Sequence, residues 1–441
     1  MSLAVRQHTV RYQRQLQIEP YGVEVIPQEE RQKNSWSQLT LWFGCNLTIA
    51  DFALGFLPVS LGLPLWATLA ALLLGNVVGS LLVGALASMG PKYGLPQLVI
   101  GRFSFGIKGE YLPAAFNFLS TVGWFAVNNI LGTFGLQTLL PGIPFFILSL
   151  GLVVIQGVVA ILGHHFIHIY ERIMSIVLGV LFLVVSVRLV QHSSVFFSYH
   201  PHPSNVWPLF AIMAAATFSY VGSWAPYASD YSRYLKNDTS SARIVSFAAI
   251  GNFLSSFWLE LVGLGVALLA KNSSNSIAAL HSVMGSFGDL AVIAIILGGT
   301  AADALNLYSN ALSALAIDIR LPRSVMTVIT CLLGLILSWI GAGSFENNYE
   351  NFLLLLGYWI TPWVGVLLAD FWKNQFQTRT VTSLRLSRLL AFIIGILVSI
   401  PFMSSSLYEG PIAKALGGTD LTFIVGFLVA FTLTWFLPKE S

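Results

Sequence analysis

The sequence predicts an all-α integral membrane protein of twelve transmembrane helices, arranged as two inverted five-helix repeats plus two peripheral helices. Three observations carry this prediction. First, 56% of the 441 residues are apolar and only 9% are charged, whereas a soluble domain carries about 25% charged residues. Second, apolar runs long enough to span a bilayer recur twelve times between Gly, Pro or charged residues. Third, 19 of the 22 Lys and Arg fall on one side once the termini are taken as cytoplasmic, as the positive-inside rule requires. The composition excludes an ordinary soluble enzyme, a disordered chain and a secreted disulfide scaffold, since Cys45 and Cys331 both lie in apolar segments. A formal charge of +3 is too small to imply a nucleic-acid partner.

Residues 1–35 are polar and contain Arg6, Arg11, Arg14, Arg31 and Lys33, so they read as a cytoplasmic tail and no signal peptide is expected. The spans are expected at 36–62, 64–88, 111–140, 144–162, 166–190, 206–228, 243–270, 284–316, 323–341, 350–371, 387–403 and 421–437. They are too long and continuous for barrel strands, which alternate every second residue. Between them, the cytoplasmic segments hold Lys92, Arg102 and Lys108, then Arg172, then Arg233, Lys236 and Arg243. Arg320, Arg323, Lys373, Arg379, Arg385, Arg388 and Lys439 follow, and only Arg188, Lys271 and Lys414 fall outside. One missed span would scramble that segregation. The first repeat is then 36–190, the second 206–371, and 387–437 holds the two peripheral helices.

Polar side chains at bilayer depth cost free energy and usually line a pathway or a bundle interior. In the first span Gly44, Thr48, Asp51 and Gly55 recur at 4, 3, 4 spacing with Asn46 beside them, and Gly44-Cys-Asn-Leu-Thr48 is a weak helical stretch. The eighth span repeats that spacing with Gly299, Asp303, Asn306 and Asn310, and Thr300 alongside. Trp124 and Asn128 share a face of the third span, next to Asn129, and Tyr220 and Trp224 share a face of the sixth, ahead of the helix breaker Pro226. Spans 1 and 6 therefore carry weakened centres, and spans 3 and 8 carry polar stripes. An offset of five in both pairs is the pattern of two inverted repeats whose broken helices enclose a midplane site.

Two Trp and two amides at one site suit a flat, neutral, polar ring: the Trp faces stack, and the amides match donor and acceptor edges. No Lys or Arg lies at that depth in spans 1, 3, 6 or 8, which argues against an anionic substrate.

The chain resembles the purine-cytosine permeases of the nucleobase:cation symporter-1 family from about residue 20 to 437. The resemblance rests on Pro27-Gln-Glu-Glu30-Arg31, Trp42-Phe-Gly-Cys-Asn46, Gly101-Arg102-Phe-Ser-Phe-Gly106-Ile-Lys-Gly109 and Trp124-Phe-Ala-Val-Asn128. Ala228-Ser-Asp230-Tyr-Ser232-Arg233-Tyr234 and Asn306-Leu-Tyr308-Ser309 complete the set. The resemblance implies a LeuT-type fold that imports a nucleobase across the inner or plasma membrane by alternating access, with both termini cytoplasmic and no cofactor beyond a coupling H+ or Na+. By position it implies Trp124 as the stacking residue and Asn128 as the hydrogen-bonding amide. Trp224, or Tyr220 in its place, supplies the second aromatic, and Asn306 the eighth-span ligand, with Asp303 and Asn46 completing the substrate set. Asp303 stands where relatives carry an amide, and Asp51 where they carry a small or apolar residue. Sodium-coupled relatives use first-span carbonyls, here near Gly44, with two adjacent eighth-span hydroxyls, but here Thr300 is followed by Ala301. That favours H+ as the coupling ion, with Asp303 or Asp51 as the titrating group.

The remaining polar residues have simpler readings. Glu260 in the seventh span reads as a helix-packing hydrogen-bonder, Gly75-x-x-x-Gly79 as an intramolecular packing motif, and Asp230 with Arg233 as a gate or structural pair. His164, His165 and His168 have the spacing of a metal pair but lie at a turn, so no metal is expected. No nucleophile, phosphate loop or metal cluster points to a membrane enzyme. The alternatives are another neutral heterocycle (hydantoin, allantoin or a thiamine-precursor pyrimidine) or a channel for small neutral solutes. The partners expected are a small molecule and the bilayer, with the chain working as a monomer.

Overall fold

Gly, Asn and Thr at 44–48 offer the backbone little reason to stay helical, and the first span breaks there. The computed structural model describes residues 23–161, 164–270, 273–319, 321–374 and 381–438. Within it the first span is Trp36–Cys45 followed by Ile49–Leu54, the two parts meeting at a 61° bend. Thr48 is extended at the break, and its hydroxyl oxygen accepts from the Asp51 amide at 3.3 Å, capping the second half-helix. In the sixth span, Val206–Gly222 ends ahead of the predicted breaker, and a 3-10 turn at Ala225–Tyr227 carries Pro226 into a short helix, Ala228–Ser232.

The other expected spans each fall on a helix. In order they are Leu65–Ala87, Tyr111–Leu139, Phe145–Ile161, His164–Gln191, Ser241–Leu269, Gly288–Ala316, Arg323–Gly341, Phe345–Asn374, Leu386–Ser399 and Thr422–Phe436. Among the described residues six helical stretches are long and apolar enough to cross a bilayer, seven with the bent first span, and the ninth and tenth spans run together in one of them. Phe145–Ile161, Leu386–Phe402 and Thr422–Phe436 are apolar but shorter. The protein is a multi-pass membrane protein, and this pattern is consistent with twelve crossings. The eleventh and twelfth spans lie against the tenth, where added Cβ atoms at Gly395 and Gly426 would both meet Pro362 at 3.1 Å.

One end of the bundle gathers the basic residues. Arg31 donates to the Pro91 carbonyl, Arg102 to the Ala316 carbonyl at the end of the eighth span, and Arg388 to the Pro438 carbonyl. The 101–109 motif is structural at this end. Gly106 takes φ +76°, and the Ile107 and Lys108 amides donate to the Thr382 and Ser383 carbonyls at 3.0 and 2.8 Å. Arg188 lies elsewhere, donating to the Val283 carbonyl. His164, His165 and His168 have side chains outside the described residues.

The first and seventh spans touch backbone to backbone. A Cβ at Gly263 would sit 2.0 Å from the Phe52 carbonyl oxygen, and one at Gly55 would sit 2.2 Å from that of Glu260. Gly75 and Gly79 similarly pack the second span against the sixth, at Thr217 and Val221. Gly263→Ala must force two backbones apart, which costs about 1–3 kcal/mol for overpacking. It should lower the apparent Tm in detergent, while Gly151→Ala, where a Cβ meets nothing within 4 Å, leaves it unchanged.

Candidate functional site

The two breaks face each other, and a cavity opens between them, walled by the third, fifth and eighth spans. It leaves about 60 Å³ for the centre of a water-sized sphere. Among the described residues no Lys, Arg, His, Asp or Glu lines it.

Trp124 and Trp224 both line this cavity and are half-buried. The plane of Trp124 is fixed by edge contacts with Tyr220 at 5.3 Å and 88°, and with Phe352 at 5.1 Å and 81°. Trp224 donates its indole N–H to Asn46 Oδ1 at 2.7 Å, so only its ring is left for a ligand. Asn46 is fully buried behind that indole and donates to Asn252 and to the Trp42 carbonyl. Asn46, expected at the substrate, does not line the cavity and instead holds the Trp224 indole by the bond to its N–H. Tyr220, the alternative aromatic, lines it alongside Trp224.

Asn128 and Asn306 line the cavity from the third and eighth spans. Both amides donate from Nδ2 to one carboxylate oxygen, Asp303 Oδ1, at 3.1 and 3.3 Å. Asn128 Oδ1 is left without a hydrogen-bond partner among the described residues. Asp303 itself is fully buried behind the two amides and does not line the cavity. It belongs to a ladder between the antiparallel third and eighth spans, where Asn117 donates to Ser313 at 2.8 Å and Asn310 to Thr121 at 2.7 Å. Asn129 faces the other way, accepting from Ser149 at 2.6 Å.

Of the remaining coupling candidates, Gly44 lines the cavity, with Ser175 of the fifth span 3.4 Å from where its Cβ would be. Thr300 does not line it, and its hydroxyl donates to the Ile296 carbonyl of its own helix at 2.9 Å. Asp51 is fully buried and does not line the cavity, although its neighbours Thr48 and Ala50 do. At the basic end Tyr227 donates to Asn117 Oδ1 at 3.0 Å, joining the sixth span to the third-to-eighth ladder beneath the cavity. Asp230 accepts from the Gln97 amide at 2.8 Å, which ties the end of the sixth span to the helix ahead of the third.

Sequence reasoning missed Ser223, Tyr227 and the fifth-span wall of the cavity, and it read Glu260 only as a helix-packing group, without its stripe. Met174, Ser175 and Leu178 of the fifth span line the cavity, but a single Ser in an apolar helix carries no signal. Asn252, Ser256 and Glu260 form an i, i+4, i+8 stripe on the seventh span, a visible signal with no legible partner. That partner is the broken first span: Asn252 accepts from Asn46, and Ser256 faces Asp51.

Comparison with known proteins decides the family. A profile described as "Permease for cytosine/purines, uracil, thiamine, allantoin" matches residues 25–426. The chain belongs to this family. YxlA of Bacillus subtilis (strain 168) is 28% identical over 96% of each chain. The purine-cytosine permease fcyB of Emericella nidulans is 25% identical over 97% of this chain and 89% of its own. Among solved structures, the inward-facing conformation of Mhp1 superposes with a TM-score of 0.77 at 18% identity. Mhp1 closed around bromovinylhydantoin, described as a nucleobase-cation-symport-1 family transporter, gives 0.73, and each covers 95% of this chain and 94% of that one. The permease therefore has the Mhp1 fold, and its family and relatives are transporters.

Proposed function

We propose that this permease imports a neutral nucleobase, cytosine or a purine, by symport with H+ and alternating access. The observation that carries the reading is the uncharged cavity: Trp124 and Trp224 line it with aromatic rings, and Asn128 and Asn306 line it with amides held by one carboxylate. Trp124 stacks the base, Asn128 and Asn306 read its edge, and Asn46 and Asp303 hold these groups from behind. The names of the fungal relatives support the substrate class. H+ is favoured over Na+ because the Thr300 hydroxyl is committed to its own helix and Ala301 follows it. The basic end of the bundle is taken as cytoplasmic, with both termini there and the chain acting as a monomer in the cell membrane.

The test is uptake of radiolabelled cytosine into proteoliposomes, competed by unlabelled adenine, guanine, hypoxanthine, uracil, hydantoin and allantoin. Concentrative uptake that is blocked by a proton uncoupler and indifferent to sodium, with nucleobases as the strongest competitors, is the expected result. Strongest competition by allantoin or hydantoin transfers the substrate to those rings. Uptake that only equilibrates makes the protein a facilitator.

A further inference from the structure

The seventh-span stripe and the broken first span bring two carboxylates together away from the substrate cavity. Asp51 and Glu260 are both fully buried, on segments whose backbones touch: a Cβ at Gly55, one turn on from Asp51, would sit 2.2 Å from the Glu260 carbonyl oxygen. Asn76 of the second span donates to Glu260 Oε2, while Glu260 Oε1 has no partner. Ser256 faces Asp51, yet no hydrogen bond of ordinary geometry closes between them, and both Asp51 oxygens and Ser256 Oγ stand without partners among the described residues. The other titratable groups facing the pair are Tyr220 from the sixth span and Tyr349 from the tenth. Among the described residues no Lys, Arg or His stands with them.

Two like charges in a dry interior without a counter-ion do not both stay ionised. Asn76 donates to Glu260 and favours the anion there, whereas Ser256, the donor that faces Asp51, makes no hydrogen bond of ordinary geometry to it. We propose that Asp51 and Glu260 form a proton-binding site between the first and seventh spans, in which Asp51 carries the coupling proton and Glu260 is the neighbouring anion that holds it there. This rests on the reading of the chain as an ion-driven symporter and moves the titrating role away from Asp303. On loading, a proton joins one Asp51 oxygen and the carboxylate becomes a carboxylic acid. On release that O–H bond breaks, its electron pair stays on Asp51, and the proton goes to water that reaches the site when it opens to the other side of the membrane, so the two anions stand together only while they are hydrated.

The link to the cavity is short. Asp51 donates its backbone amide to Thr48 Oγ1, and that hydroxyl is hydrogen-bonded to the Tyr220 hydroxyl at 2.9 Å. Tyr349 donates to the Ala50 carbonyl at 3.0 Å. Both tyrosines also edge Trp124, at 5.3 and 6.4 Å. A change of charge at Asp51 is therefore felt at the half-helix and at the rings that hold the stacking indole.

The experiment uses the full chain in proteoliposomes with radiolabelled cytosine and an imposed gradient of one pH unit. A one-to-one symporter accumulates substrate about tenfold under that gradient. Asp51→Asn should fall to simple equilibration while still exchanging labelled for unlabelled cytosine. Glu260→Gln removes the neighbouring anion, and the external pH at which accumulation is half lost should move down. Accumulation that survives Asp51→Asn, or that follows sodium with the pH gradient collapsed, overturns the site. If the wild type exchanges no nucleobase, the substrate reading fails instead, and infrared titration still decides the site without substrate. A protonated carboxylic-acid band that titrates with pH in the wild type and is lost in Asp51→Asn supports it; no such band in the wild type, or the same band in the variant, overturns it.

Discussion

Replacing Trp124 with alanine should weaken cytosine binding about 5- to 150-fold, the equivalent of the about 1–3 kcal/mol that base-on-aromatic stacking contributes. The upper part of that range is expected because the indole is already held in place. Tyr220, Phe352 and Tyr349 meet it edge-on at 5.3, 5.1 and 6.4 Å, so its face is set before a ligand arrives and little ordering cost falls on binding. Trp224 cannot substitute for it, since it lies on another span and its orientation depends on Asn46. Trp124→Phe keeps a π face with less area and should fall between wild type and alanine. Equilibrium binding by titration calorimetry, with the Tm recorded for each variant, separates this loss from loss of folding. Alanine binding at wild-type affinity would remove the third span from the substrate site.

The parts of this molecule that were legible in the sequence are those set by one helix at a time. Apolar length places the spans, and Gly44 to Thr48 and Pro226 mark the breaks, because a weak propensity or a missing N–H acts locally. Spacing also places Trp124 and Asn128 on one face. Spacing does not say what that face meets. The eighth-span stripe is wide enough to touch two neighbours, so Asn306 turns to the cavity while Asp303 and Asn310 turn to the third span. The same limit hid Asn46, which looked like a ligand and is the acceptor for an indole N–H. Glu260 was read as a packing group, and its bond from Asn76 is of that kind. Its nearness to Asp51 depends on the backbone contact at Gly55 and Gly263, which no single-helix pattern encodes.

Asp303→Leu should weaken cytosine binding by about 100-fold without uncoupling transport. Asp303 Oδ1 accepts from both cavity amides, and a hydrogen bond to a charged group contributes about 1.5–3 kcal/mol. With the acceptor gone, Asn128 and Asn306 are free to turn their NH2 groups toward the ligand, and the donor and acceptor pattern offered to the base is lost. Asp303→Asn is the milder change: one oxygen can still accept, but the new NH2 group occupies the place of Oδ2, which has no partner, and a buried unpaired donor costs about 1–3 kcal/mol. A loss of about tenfold and an altered order of competing bases are expected there. The two roles open to Asp303 separate cleanly in this variant. A positioning carboxylate raises Kd and leaves accumulation at saturating cytosine tied to the pH gradient. A coupling carboxylate would do the reverse, leaving Kd near wild type and abolishing accumulation, and that outcome would return the proton to the eighth span and take it from Asp51.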